Sequence, residues 1–205
     1  MSVNLLEIVQ QNLGYPELQK MDPNTQVMVA DVKTTGEEKF SQAAIPAILT
    51  GLFKYAQSDE GAAEILQSDN SANWIAKIFD DNKKDVILKI SSYASQSPED
   101  PIAKMNAIAD EAVKVIKENL GAAASGKDVR TFLNNQKNNI LLYLPAALNI
   151  GELLHEDSLD DATNKMEGPV SSLIRSVGDS FSGSTTAEIN QGLKTRLPEK
   201  TELNI

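Results

Sequence analysis

Four places in the sequence carry side chains whose type or spacing invites a chemical reading. The first is Gly121-Ala-Ala-Ala-Ser-Gly126-Lys127, which satisfies the G-x-x-x-x-G-K spacing of a phosphate-cradling loop. Such a loop needs Ser or Thr after the lysine to hold magnesium, and a strand before the first glycine. Here Asp128 follows, with a charge that repels phosphate, and Glu118-Asn119-Leu120 ends a helix. The glycines read better as a helix C-cap and a flexible link. The second place is His155, the one histidine, beside Glu152, Glu156, Asp157, Asp160 and Asp161. Carboxylates so grouped could hold a hard cation or work with an imidazole, but the spacing fits no calcium loop and lacks its central glycine. A solvated acidic turn, with Asp157 or Ser158 capping the next helix, explains them more simply.

Trp74, with Ile75, Ile78 and Phe79, is the third place: a ligand platform, a partner patch, or core, which is the commoner fate of such a stripe. The fourth is Tyr143 beside Pro145. A proline bend frees backbone carbonyls and leaves gaps where helical proteins place small-molecule pockets. Tyr143, Pro145, Trp74 and His155 are therefore the candidate pocket or partner residues. No catalytic, cofactor or metal residue is marked. Carboxylates are plentiful but none is singled out as a buried pair, and no G-x-S-x-G elbow is present.

The 205 residues carry a net charge of −10 and are 41% hydrophobic, the composition of an ordinary globular chain. Nothing supplies the basic surface that nucleic acid requires, so nucleic-acid binding is not expected. Cysteine is absent, which excludes disulfides, thiol catalysis and thiolate metal sites. MSVNLLEIVQ lacks the basic region of a secretory signal. No window reaches the roughly 18 apolar residues of a membrane span. The simplest reading is a soluble cytoplasmic protein without membrane insertion.

The elements that must position these residues are read as helices. Two apolar stretches dominate: Ile45 to Phe53, containing Pro46, and Gln136 to Leu154, containing Pro145. Their spacing predicts two proline-bent helices, Glu37 to Gln57 and roughly Asn134 to Leu154, with the rest wrapped around them. Further helices are expected at Asn4 to Leu13 with Gly14 as stop, after Asp59 through Leu66, after a Ser71 cap, at Lys83 to Ala94, and from Asp100-Pro101 to Leu120. Residues 15–36 read as short helical turns and loop. The fold class is all-α, a multihelical array over residues 1–181. Residues 182–205, rich in Ser, Thr, Gly and charge, read as a loosely held tail.

The chain also echoes itself. Ile45-Pro46-Ala47 and Leu144-Pro145-Ala146 lie 99 residues apart, and Trp74 to Asp80 falls over Leu173 to Asp179 at the same offset. Asp31-Val32-Lys33-Thr34 echoes Asp128-Val129-Arg130-Thr131 two residues closer. This predicts pseudo-symmetric halves, about 1–97 and 98–181; chance similarity of apolar helices is the alternative.

The segment QKNNILLYLPAALNIGELL, with KFSQAAIPAILTGLFKYAQSDEGAAEIL and the opening NLLEIVQQNLG, resembles the bacterial domain-of-unknown-function family 937, the YidB-like proteins. The resemblance covers about residues 3–155. It implies a multihelical fold and a bacterial source, with no established activity and no site residues to carry over. The reading is a non-catalytic helical binding or assembly module, with a protein partner or self-association. The alternatives are a carrier of a small apolar ligand held between the bent helices, and an enzyme using the turn around His155.

Overall fold

From Phe40 to Phe53 the chain holds fourteen consecutive residues with no charged side chain, and all fourteen are buried. They form most of one helix, the axis of the fold. The computed structural model describes residues 3–21, 35–68, 73–97 and 101–154. Of these 77% are helical and none lies in a strand, so the all-α class holds. The helices are α1 (Leu5–Asn12), α2 (Gly36–Tyr55), α3 (Asp59–Gln67), α4 (Trp74–Phe79), α5 (Lys83–Ala94), α6 (Pro101–Leu120), α7 (Gly126–Leu141) and α8 (Ile150–Leu153). Short 3-10 turns cover Asp80–Asn82 and Ala146–Leu148.

A helix apolar all round has no stable place but an interior, and α1, α4, α5, α6 and α7 all pack on α2. Its start is set by a reciprocal cap: Thr35 Oγ1 accepts from Glu38 N–H, and the Glu38 carboxylate accepts from Thr35 N–H. Pro46 removes one donor from the middle, yet the helix runs through it. Thr50 Oγ1 donates to the Pro46 carbonyl one turn back at 2.7 Å, which satisfies this buried hydroxyl within the helix. One turn on, Gly51 lets α4 approach. A Cβ there would stand 2.8 Å from Phe79 Cζ.

The other helices expose one face. On α6, Met105, Ile108, Ala109, Ala112, Val113 and Ile116 are buried at helical spacing, while Ile102 is exposed. Gly14 and Gly121 end α1 and α6 at φ +70° and +77°, the left-handed position that a side chain disfavours. Buried side chains from Leu5 to Leu154 join in one core. No helix among the described residues is long and apolar enough to cross a membrane.

Several expectations need correction. The second bent helix is not one helix. α7 starts at Gly126, not near Asn134, and ends at Leu141, after which the chain turns. Pro145 is extended (φ −66°, ψ 125°) and leads into the 3-10 turn and then α8, with Asn149 left-handed between them. A residue before proline avoids helical geometry. Leu144, the residue before Pro145, is buried, but Leu142 is half exposed, so the stretch is not apolar on all sides and yields to that preference. The Pro46 and Pro145 members of the internal echo thus adopt different local structures. Ser58 and Asn73, not Asp59 and Ser71, cap α3 and α4. Residues 15–20 form no helical turn. His155, the later echo at Leu173 to Asp179 and the 182–205 tail lie outside the described residues.

Candidate functional site

Two buried glutamines hold three separate stretches of backbone together. Gln42, on α2, is 3% exposed. Its Oε1 accepts from Gln19 N–H at 2.8 Å, and its Nε2 donates to Gln19 C=O at 2.9 Å and to Tyr143 C=O at 2.8 Å. Gln136, on α7, accepts from Leu5 N–H at 3.1 Å and donates to Val3 C=O at 2.8 Å. A primary amide can meet a backbone donor and acceptor side by side, and burial makes any unmet group costly. The α1 start, residues 15–21 and the turn at 142–143 are therefore fixed relative to α2 and α7. Three further bonds tighten the frame: Gln10 Nε2 to Tyr15 C=O at 2.7 Å, Asn139 Nδ2 to Asn4 Oδ1 at 2.8 Å, and Met21 N–H to Leu142 C=O at 2.9 Å.

These three stretches enclose a cleft of about 420 Å³. Asn4, Glu7, Gln10 and Gln11 line it from α1, Glu17 from the following segment and Tyr143 from the turn. Leu6 and Leu18 add apolar surface. The Glu7 carboxylate accepts from Asn4 Nδ2 and Gln11 Nε2, which orients it while leaving it exposed. Two carboxylates, three amides and one aromatic ring suit recognition of a polar, cationic or amide-rich group.

Of the predicted residues, Tyr143 lines this cleft and Pro145 is buried two residues further on. Trp74 is core, 1% exposed. The Tyr55 ring meets it edge-on at 6.3 Å, and Lys77 Nζ lies 5.3 Å over its face. Lys77 pairs with Glu64, which also accepts from the Tyr55 hydroxyl. Burial, then the Glu64 bond and charge, push the Tyr55 phenol up to about 12. The bonds from Lys77 and then Tyr55 hold Glu64 below the usual carboxylate range. On α6, loss of water raises the Asp110 carboxyl, and its bond from the Trp74 side chain opposes this only in part. Asp110 Oδ1 is buried without a partner. This group fastens α2, α3, α4 and α6 to one another.

Between α2 and α7, where a pocket between bent helices is expected, Thr50, Phe53, Lys137, Ile140 and Leu141 close to a gap that admits no water-sized molecule. Lys137 Nζ sits 5.3 Å over the Phe53 ring there. In the glycine motif, Gly126 and Lys127 open α7 and Asp128 caps Ser125, which leaves no phosphate cradle. No group of three or more His, Asp or Glu among the described residues could hold a metal.

Gln42 and Gln136 are the residues that sequence reasoning passed over. Gln136 does fall on the buried stripe of Val129, Leu133 and Ile140, and a lone amide on an apolar stripe is the mark of a buried polar clasp. The chain matches no family model, no curated protein and no solved structure in the three comparisons made.

Proposed function

We propose that the chain is a non-catalytic helical binding module whose contact site is the cleft between α1, residues 15–21 and Tyr143. One observation carries this reading: the cleft's walls are set by amides buried in the core, so the site is pre-formed and its polar groups need little ordering on binding. Among the described residues the large exposed apolar side chains are Leu88, Ile102 and Leu142, and none of them lines the cleft. The likeness of residues 3–155 to YidB-like proteins belongs to the same proposal and rests on the segments quoted for it.

The test is a titration of the ¹⁵N-labelled full chain with arginine amide and N-acetyl-lysine amide, followed by amide chemical shifts. Saturable shifts are expected at Glu7, Gln10, Gln11, Glu17 and Leu18. Shifts spread over the surface without saturation would remove the cleft as a site.

A further inference from the structure

The side chains of the cleft have committed their donors more fully than their acceptors. Asn4 Nδ2 and Gln11 Nε2 each give one hydrogen to the Glu7 carboxylate, and Gln10 Nε2 gives one to the Tyr15 carbonyl. By contrast Gln10 Oε1, Gln11 Oε1 and both Glu17 oxygens accept nothing among the described residues. No described Lys or Arg pairs with Glu7 or Glu17. Neutral amides hold the Glu7 carboxylate, so its charge is oriented without being cancelled. The two carboxylates come from different elements, Glu7 from α1 and Glu17 from the segment that follows, and Leu6 and Leu18 line the same space. Its volume of about 420 Å³ exceeds what one ammonium group fills and falls in the range of small-molecule sites, roughly 300–1,000 Å³.

We infer that the cleft takes a small linear aliphatic diamine, with one ammonium at Glu7, the other at Glu17 and the methylene chain against Leu6 and Leu18. The inference rests on the binding role proposed above and names its ligand class. An ammonium brings three donors and no acceptor, the complement of a site whose uncommitted oxygens outnumber its uncommitted hydrogens. Gln10 Oε1 and Gln11 Oε1 take N–H groups that the carboxylates do not. A single cation answers one carboxylate and leaves the second facing water, whereas a diamine answers both with one loss of translational freedom. Anionic ligands meet two carboxylates in a chain of net charge −10 and are repelled.

The probes are butane-1,4-diamine and pentane-1,5-diamine, titrated at fixed ionic strength into the ¹⁵N-labelled full chain. Pentylamine serves as the control with one cation, and magnesium chloride as a double charge on a single centre. The diamines should give saturable shifts at Glu7, Gln10, Gln11 and Glu17, the better-fitting one binding about fivefold more tightly than pentylamine. Glu7→Gln and Glu17→Gln should each erase that advantage. Glu118→Gln, which alters an exposed acid of α6 outside the cleft, should leave it intact. Equal affinity of diamines and pentylamine, with shifts still in the cleft, overturns the two-point ligand and leaves the binding role standing. Magnesium binding there as tightly as the diamines, or an equal loss from Glu118→Gln, reduces the effect to general charge attraction and overturns it too. Cleft shifts from arginine amide but none from the diamines overturn the ligand class alone. Silence from every probe, arginine amide included, removes both.

Discussion

Ile45-Pro46-Ala47 and Leu144-Pro145-Ala146 are nearly the same tripeptide, yet one continues a helix and the other ends a turn. The proline is equally short of a donor in both. What differs is the company. Around Pro46 every residue from Phe40 to Phe53 is buried, so leaving the helix would expose apolar surface worth about 25 cal/mol per Å². That loss outweighs the roughly 3 kcal/mol a mid-helix proline costs. Before Pro145 burial is one-sided: Ile140 and Leu144 are buried, while Leu142 is half exposed and Tyr143 only partly buried, so less apolar surface depends on the helix continuing. The chain there yields to proline's preference and turns. Burial on all sides, rather than local propensity, decides whether a proline interrupts. The turn it makes at Pro145 is also what delivers the Tyr143 carbonyl to Gln42 and the Leu142 carbonyl to Met21, and so closes the cleft.

The contrast can be broken most forcefully by removing volume on each side. Ile48→Ala should cost about 3 kcal/mol in denaturant unfolding, since Ile48 is fully buried in α2. Leu142→Ala should cost under about 0.5 kcal/mol. Equal costs would mean that the two regions are not differently buried. A sharper comparison exchanges the prolines themselves. Pro46→Ala restores a helix donor, and the gain of about 3 kcal/mol exceeds the packing lost, so a net stabilisation of about 1 kcal/mol is expected. Pro145→Ala loosens the unfolded chain where the native φ already suits proline, so it should destabilise by about 0.5–1 kcal/mol. The two substitutions should therefore have opposite signs in thermal melts.

A pH-dependent effect concerns Asp110, which anchors Trp74 of α4, the helix packed against α2 at Gly51. Its carboxyl titrates above the ordinary range because burial penalises the charge. Stability from such a group is complete below its unfolded value near pH 4 and is lost as pH rises through the folded value. Asp110→Asn should accordingly raise stability at pH 7 by under about 1 kcal/mol, the group being only partly buried. The advantage should vanish below about pH 4, with Trp74 fluorescence as the reporter. A variant less stable at pH 7 than at pH 4, relative to the parent, would reverse the assignment.

Much of the fold was legible because helical period and stops agree. α1, α2, α5 and α6 match the apolar spacing of their sequences, with Gly14 and Gly121 stopping two of them. Caps slipped by one or two residues where several Ser, Asp or Asn stand together, as at Ser58-Asp59 and Ser71 to Asn73, because each can accept from the next turn. The start of α7 was missed for a different reason. Its first three turns are polar except for Val129, Phe132 and Leu133, and the capping pair Ser125 and Asp128 was read as part of a glycine motif. In the cleft, Tyr143 stood out as an aromatic beside a proline. Gln42 and Gln136 did not, since their partners lie 23 to 133 residues away and nothing local announces them.

Amide hydrogen exchange across the two proline segments tests the account at its centre. The amides of Ile48 to Phe53 should exchange only through global unfolding, and those of Leu142 to Asn149 at least a hundredfold faster through local opening. Equal protection of the two segments, or faster exchange in α2, would contradict the claim that burial around Pro46 alone forms the axis of this fold.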